Sequence, residues 1–333
     1  MTPEAVFDYG QGICALDSLY DRRLQTAIYL VIENGRAAVV DTGTSHAAPR
    51  VLAALAARRI EPAQVDYVIL THVHLDHAGG AGQLMARFPN ARLAVHPRGA
   101  GHVVDPSRLL ASTVAIYGEE AARRTYGEVL PVARDRVLET PEGASLRLGA
   151  RELLCLDSPG HARHHVVLRD SRTGHVFAGD TFGLSYRELD VDGRQFSFPT
   201  TSPSQFDPGA LHRSIERILA LRPEALYVTH FGRVSDSVRL AADLHRLIDA
   251  HAELGERLRR AGAERRARLK EGIAAMVLAE SARQGWRLTR AQLLEVFALD
   301  IELNAQGLES WLDAAERSAL RQGALAEGKN ALR

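Results

Sequence analysis

Within the stretch Thr71 to Gly80, THVHLDHAGG, His72, His74, Asp76 and His77 lie within six residues. They follow directly on the apolar run Tyr67-Val68-Ile69-Leu70. Neutral imidazole and carboxylate are good ligands for zinc, iron or manganese. Three further residues share the same address. His161 follows Leu153–Leu156 through Asp157-Ser158-Pro159-Gly160, Asp180 follows Val176-Phe177-Ala178-Gly179, and His230 follows Leu226-Tyr227-Val228-Thr229. Each stands at the C-terminal end of an apolar strand pattern, where side chains converge on an open cleft. His72 and His74, two apart on an extended turn, can face one ion. Asp76 and His77, where the chain turns into a helix, can face another, and Asp180 has two oxygens with which to bridge the pair. The set is too large for one tetrahedral ion and suits two. Two ions about 3.5–4 Å apart clamp a hydroxide and lower its pKa to roughly 7.

The elements that must position these residues are legible in the patterning. Ala27–Ile32 and Ala37–Val40 are strands joined by a turn whose Asn34-Gly35 is a strong hairpin signal. The spacing predicts a helix over Pro49–Arg59, a strand at Asp66–Leu70, a helix from Gly79 to Phe88 and a strand at Arg92–Val95. Leu153–Leu156, Val166–Leu168, Val176–Ala178 and Leu226–Val228 complete the strands, with a hairpin at Asp170–Gly174. Pro97 to Glu128 is weakly helical and is expected to carry loops over the strand ends. From Asp236 onward only helical spacing recurs, with Thr289 as a helix cap. Two units follow: residues 1–235, which carry the ligands, and an all-helical region, residues 236–333. Gly183 to Pro208 has no helical period and four aromatics. A loop that long in a compact domain is usually functional, and Tyr186, Phe196 and Phe198 are expected to line a substrate pocket.

The motif H-x-H-x-D-H after a strand, Gly160-His161, Gly179-Asp180-Thr181 and Thr229-His230-Phe231-Gly232 together resemble the metallo-β-lactamase superfamily over about Phe7 to Arg233. The resemblance implies an α/β fold, an αββα sandwich with the metals on one edge. It implies one metal on His72, His74 and His161 and a second on Asp76, His77 and His230, with Asp180 between them. The second site has no Cys, unlike the antibiotic-hydrolysing members that use one there, which points away from β-lactams. The appended helices resemble the layout of glyoxalase II-type thioesterases, although they show no matching set of basic and Tyr residues for glutathione.

The expected function is therefore a dinuclear hydrolase, thioesterase- or lactonase-like, with Asp76 and Asp180 as catalytic residues. Zinc is the expected metal, with iron or manganese as alternatives for the same ligand set. Asp41, in VVDTG, reads either as a hydrogen-bond acceptor for a ligand imidazole or as a turn cap. His165 reads either as a support for the site or as packing at the start of its strand. Tyr186 is a candidate donor to a substrate oxyanion. A phosphodiesterase using the same metals, or a regulatory protein that retains the site, are the alternatives.

Lys plus Arg (41) equals Asp plus Glu (41), so the net charge is zero, which argues against nucleic acid or acidic membrane as partner. The basic run Arg257–Lys270 has glutamates interleaved at helical spacing and reads as a solvated, ion-paired face. A small acyl compound is the expected partner, and a homodimer through the helices is plausible. The start of the chain does not read as a secretory signal, no apolar run reaches membrane length, and Cys14 and Cys155 form no CxxC pair. A cytoplasmic location is expected.

Overall fold

A computed structural model describes residues 6–201 and 205–330. Seven strands form a first sheet in sequence order: β1 (Val6–Asp8), β2 (Ile13–Asp17), β3 (Ala27–Glu33), β4 (Arg36–Val40), β5 (Val65–Ile69), β6 (Arg92–Val95) and β7 (Val137–Glu139). β1 to β4 pair antiparallel, and β4 to β7 pair parallel. The second sheet contains β8 (Ser145–Leu148), β9 (Arg151–Asp157), β10 (Val166–Asp170), β11 (Val176–Leu184), β12 (Leu226–His230) and β13 (Gly232–Val234), ordered 13-12-11-10-9-8.

Alternation along the strands builds the layers. On β3, Ala27, Tyr29 and Val31 enter a core shared with Phe177 and Tyr227 of the second sheet. Ile28 and Leu30 face the other way, onto α1 (Ala48–Ala57) and onto helical residues further along, such as Leu84. Each sheet thus buries one face on the other and one on helices, which makes the αββα sandwich. The Asn34-Gly35 turn takes φ of +48° and +75° and sets the register Glu33 opposite Arg36. Cys14 and Cys155 are buried free thiols in different layers.

Pro97–Glu128 departs from expectation. After α2 (Leu75–Ala78) and α3 (Ala81–Arg87), it folds as three helices: α4 (Pro97–Val104), α5 (Ser107–Tyr117) and α6 (Glu119–Tyr126). α4 packs Ala100 and Val103 into the core of the first sheet, while Leu109 of α5 and Tyr126 of α6 pack on Tyr20 and Leu75 in a smaller cluster. The short strands β1, β2, β7, β8 and β13 carried too little pattern to be foreseen.

α7 (Pro208–Ala220) covers the outer face of the second sheet, and no strand follows Val234 among the described residues. α8 (Ser237–Leu258), α9 (Arg265–Gln284), α10 (Arg290–Val296) and α11 (Ala298–Asn330) follow, with Thr289 forming a capping box with Gln292. These helices share one apolar cluster with β11, β12 and α7, including Leu244, Ile273, Phe297 and Leu308. The basic run is ion-paired, with Arg265 to Asp313 and Lys270 to Glu302 at 2.5 and 2.7 Å. No helix among the described residues is long and apolar enough to cross a membrane.

Candidate metal centre

The chain leaves β5 at Ile69 and stays extended to His74, whose φ and ψ of −64° and 149° make it the N-cap of the single-turn α2. That change from extended to helical backbone divides the motif. His72 and His74 come off extended chain, and Asp76 and His77 off the turn of helix. His72 Nε2 lies 2.8 Å from His74 Nδ1, and His161 Nε2 lies 3.1 Å from the same atom. Ligand nitrogens around a tetrahedral zinc, at Zn–N of 2.0–2.1 Å, lie about 3.3 Å apart.

A second group adjoins the first. His77 Nε2 is 3.4 Å from both Asp76 Oδ2 and Asp180 Oδ1, and His230 Nε2 is 3.5 Å from Asp76 Oδ2 and Asp180 Oδ2. Asp180 Oδ2 also lies 3.5 Å from His161 Nε2, so its carboxylate reaches both groups. His77 Nε2 and Asp180 Oδ1 are buried and have no hydrogen-bond partner among the described residues. Orphaned polar atoms of this kind, facing other ligand-type atoms, fit a cation.

The opposite edges of the rings are satisfied by protein. His77 Nδ1 donates to Asp41 Oδ2 at 2.8 Å, His161 Nδ1 to the Thr200 carbonyl at 3.1 Å, and His230 Nδ1 to the Gln25 carbonyl at 3.0 Å. Each bond fixes a tautomer whose Nε2 lone pair faces the centre. Asp41 is no turn cap. It also accepts from Thr71 N–H at 2.8 Å and Thr229 Oγ1 at 3.1 Å, tying the ends of β4, β5 and β12 together. His165 Nε2 accepts from the Asp180 backbone N–H at 3.1 Å, while its Nδ1 meets Ser158 Oγ at 2.7 Å.

Asp180 does not follow the end of its strand. It lies inside β11, at a stretch where pairing to β12 shifts register on either side of Gly179. The roles of Thr71, Ser158, Thr200 and Gln25 were not foreseen. A serine or threonine beside a motif, or a carbonyl far along the chain, carries no signal of its own.

Electrostatics agree with a cation-shaped site. Burial, with the neighbouring imidazoles, holds His72 and His74 well below the ordinary imidazole range. Burial opposes ionisation of Asp76, but His77 and His230 outweigh it and bring the carboxyl down to about 2. His77 is raised despite burial, by Asp76, Asp180 and Asp41 around it.

A cavity of about 490 Å³ opens over His74, Asp76, His161, Asp180 and His230. Its walls come from Tyr20, Leu75, Leu109, Tyr126, Leu299 and Asp300. Tyr186, Phe196 and Phe198 do not line it. They are at most 1% exposed and pack with Phe297 under the helices. The Tyr186 hydroxyl is taken by Asp300, 3.0 Å from both carboxylate oxygens. The aromatics of this loop therefore anchor it to the helical region. Periodicity cannot tell an anchoring ring from a pocket ring, because both are apolar residues in irregular chain. His164 is buried at the cavity wall.

Residues 21–230 match the metallo-beta-lactamase superfamily, and the chain belongs to that superfamily. Most of its members are metal-dependent hydrolases. A metallo-beta-lactamase fold-containing protein of Sulfurisphaera tokodaii is 27% identical over 184 residues, 53% of this chain and 64% of that protein. A hydroxyacylglutathione hydrolase of Acidiphilium cryptum is 28% identical over 238 residues, 71% of this chain and 77% of that protein. Another, from Xanthomonas axonopodis pv. citri, is 31% identical over 59% of this chain, which spans 56% of that relative's length. In fold, a metallo-beta-lactamase family protein from Thermus thermophilus superposes with a TM-score of 0.63 over 94% of this chain and 96% of its own, at 22% identity.

Proposed function

We propose that the protein is a dinuclear metal-dependent hydrolase of acyl compounds, thioesters foremost. One observation carries the reading. Asp180 lies within 3.5 Å of ligand nitrogens of both groups, on the floor of a cavity with largely apolar walls. Relatives named hydroxyacylglutathione hydrolases favour a thioester over a lactone. His72, His74 and His161 would hold one ion and Asp76, His77 and His230 the other, with Asp180 offering an oxygen to each. Zinc is the expected metal. When bound, such a pair supplies Lewis acidity toward a carbonyl oxygen and brings the pKa of a water to about 7. Asp76 lines the cavity floor, where its carboxylate can hold the proton of the attacking water. The apolar walls keep bulk water from the acyl carbon.

The test combines metal content with turnover. Elemental analysis of the purified chain is expected to give two metals. Assays on thioester, lactone, phosphodiester and β-lactam substrates are expected to rank the thioester first, with turnover lost in Asp180→Ala. A single iron with oxygen uptake, or a preference for the phosphodiester or β-lactam, overturns the reading.

A further inference from the structure

The walls of the cavity say more about the substrate than its floor does. Tyr20, Leu75 and Tyr126 form an apolar cluster separate from the main cores, with Leu109 and Leu299 packed against it. They come from the β2–β3 connection, α2, α5, α6 and α11, segments far apart in the chain. All five line the cavity. The Tyr20 and Tyr126 hydroxyls meet at 3.0 Å, with ring centroids 5.8 Å apart. Their polar tips thus face each other, and both residues line the cavity.

Among these apolar groups stands Asp300 of α11, nine-tenths buried. The Tyr186 hydroxyl, shared between its two oxygens, is the one hydrogen-bond donor found for it among the described residues. It forms no ion pair with Lys or Arg there, and Arg108, on the exposed side of α5, is the only Lys or Arg among the described lining residues. A carboxylate has about four acceptor positions, so Asp300 is left with capacity for a neutral donor. An anionic ligand group beside it would meet like charge in a poorly solvated space.

We infer that this cavity is an acyl-binding chamber that takes an apolar acyl group and rejects an acidic one through Asp300. The inference rests on the hydrolase reading above and adds the class of acyl group. It sets the chain apart from an enzyme made for short polar acyl groups. A longer apolar acyl chain buries more of its surface against this wall, which favours hexanoyl over acetyl.

The experiment uses the full metal-loaded chain and N-acetylcysteamine thioesters of acetate, pentanoate, hexanoate, benzoate and succinate. The hexanoyl or benzoyl thioester is expected to exceed the acetyl thioester at least tenfold in kcat/KM, and pentanoyl to exceed succinyl at least tenfold. Asp300→Asn is expected to narrow the pentanoyl-to-succinyl ratio, and Leu299→Gln the hexanoyl-to-acetyl ratio. Calorimetry with the non-hydrolysable S-hexyl thioether and its ω-carboxy analogue should give the same order without turnover. Thioester hydrolysis with no chain-length preference, or with succinyl preferred, overturns the chamber and leaves the hydrolase reading standing. If none of the thioesters is cut but the S-hexyl ligand binds best, the chamber stands and the reaction is wrong. If no thioester is cut and the two ligands bind alike, both fall.

Discussion

Asp41 has φ of +57°, a left-handed conformation that costs a non-glycine residue roughly 1–3 kcal/mol, and the bonds it makes explain why it is held there. With His77 Nδ1, Thr71 and Thr229 as donors, it joins three strand ends beneath the site. Asp41→Ala is expected to lower affinity for the metal nearest His77 by about 10–100-fold, measured by competition with a chelator. Unchanged affinity would mean that Asp41 serves the fold alone. Asp300 makes a different prediction at this scale. Burial raises its pKa from 3.8 to about 6, so between those values the folded chain binds more protons than the unfolded one. Its contribution is therefore greatest below about pH 4 and falls as pH rises through about 6, a loss of roughly 3 kcal/mol at most. Asp300→Asn lacks this loss. Relative to the parent it should gain stability between pH 4.5 and pH 8 in urea unfolding, and parallel pH profiles for the two proteins would refute the assignment.

Among the elements, β11 bears most directly on the site because it carries Asp180 within an irregular stretch. Gly179 has φ of +51°, and a Cβ there would lie 2.5 Å from His165 Nε2. The residue thus allows His165 to approach the backbone and accept the Asp180 N–H. Gly179→Ala is expected to push the imidazole away, cost about 1–3 kcal/mol in stability and lower the metal content per chain. A variant with full metal and parental stability would show that the strand tolerates the methyl. The β5-to-α2 turn was readable because its ligands lie within one short stretch. The helices α5 and α6 were not, since what they cover is supplied by α2, α11 and the β2–β3 connection.

Across the whole molecule, the helical region is built into the second sheet rather than hung from it. Phe297 is fully buried against Tyr186, Phe196, Phe198 and Trp286. Phe297→Ala should cost about 3–5 kcal/mol by urea denaturation and loosen the Gly183–Pro208 loop toward proteolysis. A loss below 1 kcal/mol would show that the helices contribute little to holding that loop. The sequence by itself set out the candidate ligands and the point where strands give way to helices, and its motifs carried the resemblance that implies the αββα class. Ligand spacing, strand alternation and turn residues are local properties, written within a few positions of one another. Only the tertiary structure decided that Tyr186, Phe196 and Phe198 anchor the loop, that Asp300 meets Tyr186, and that α11 walls the cavity. Those outcomes depend on packing between residues about a hundred or more positions apart. An apolar or acidic side chain carries no mark of which distant surface it will meet.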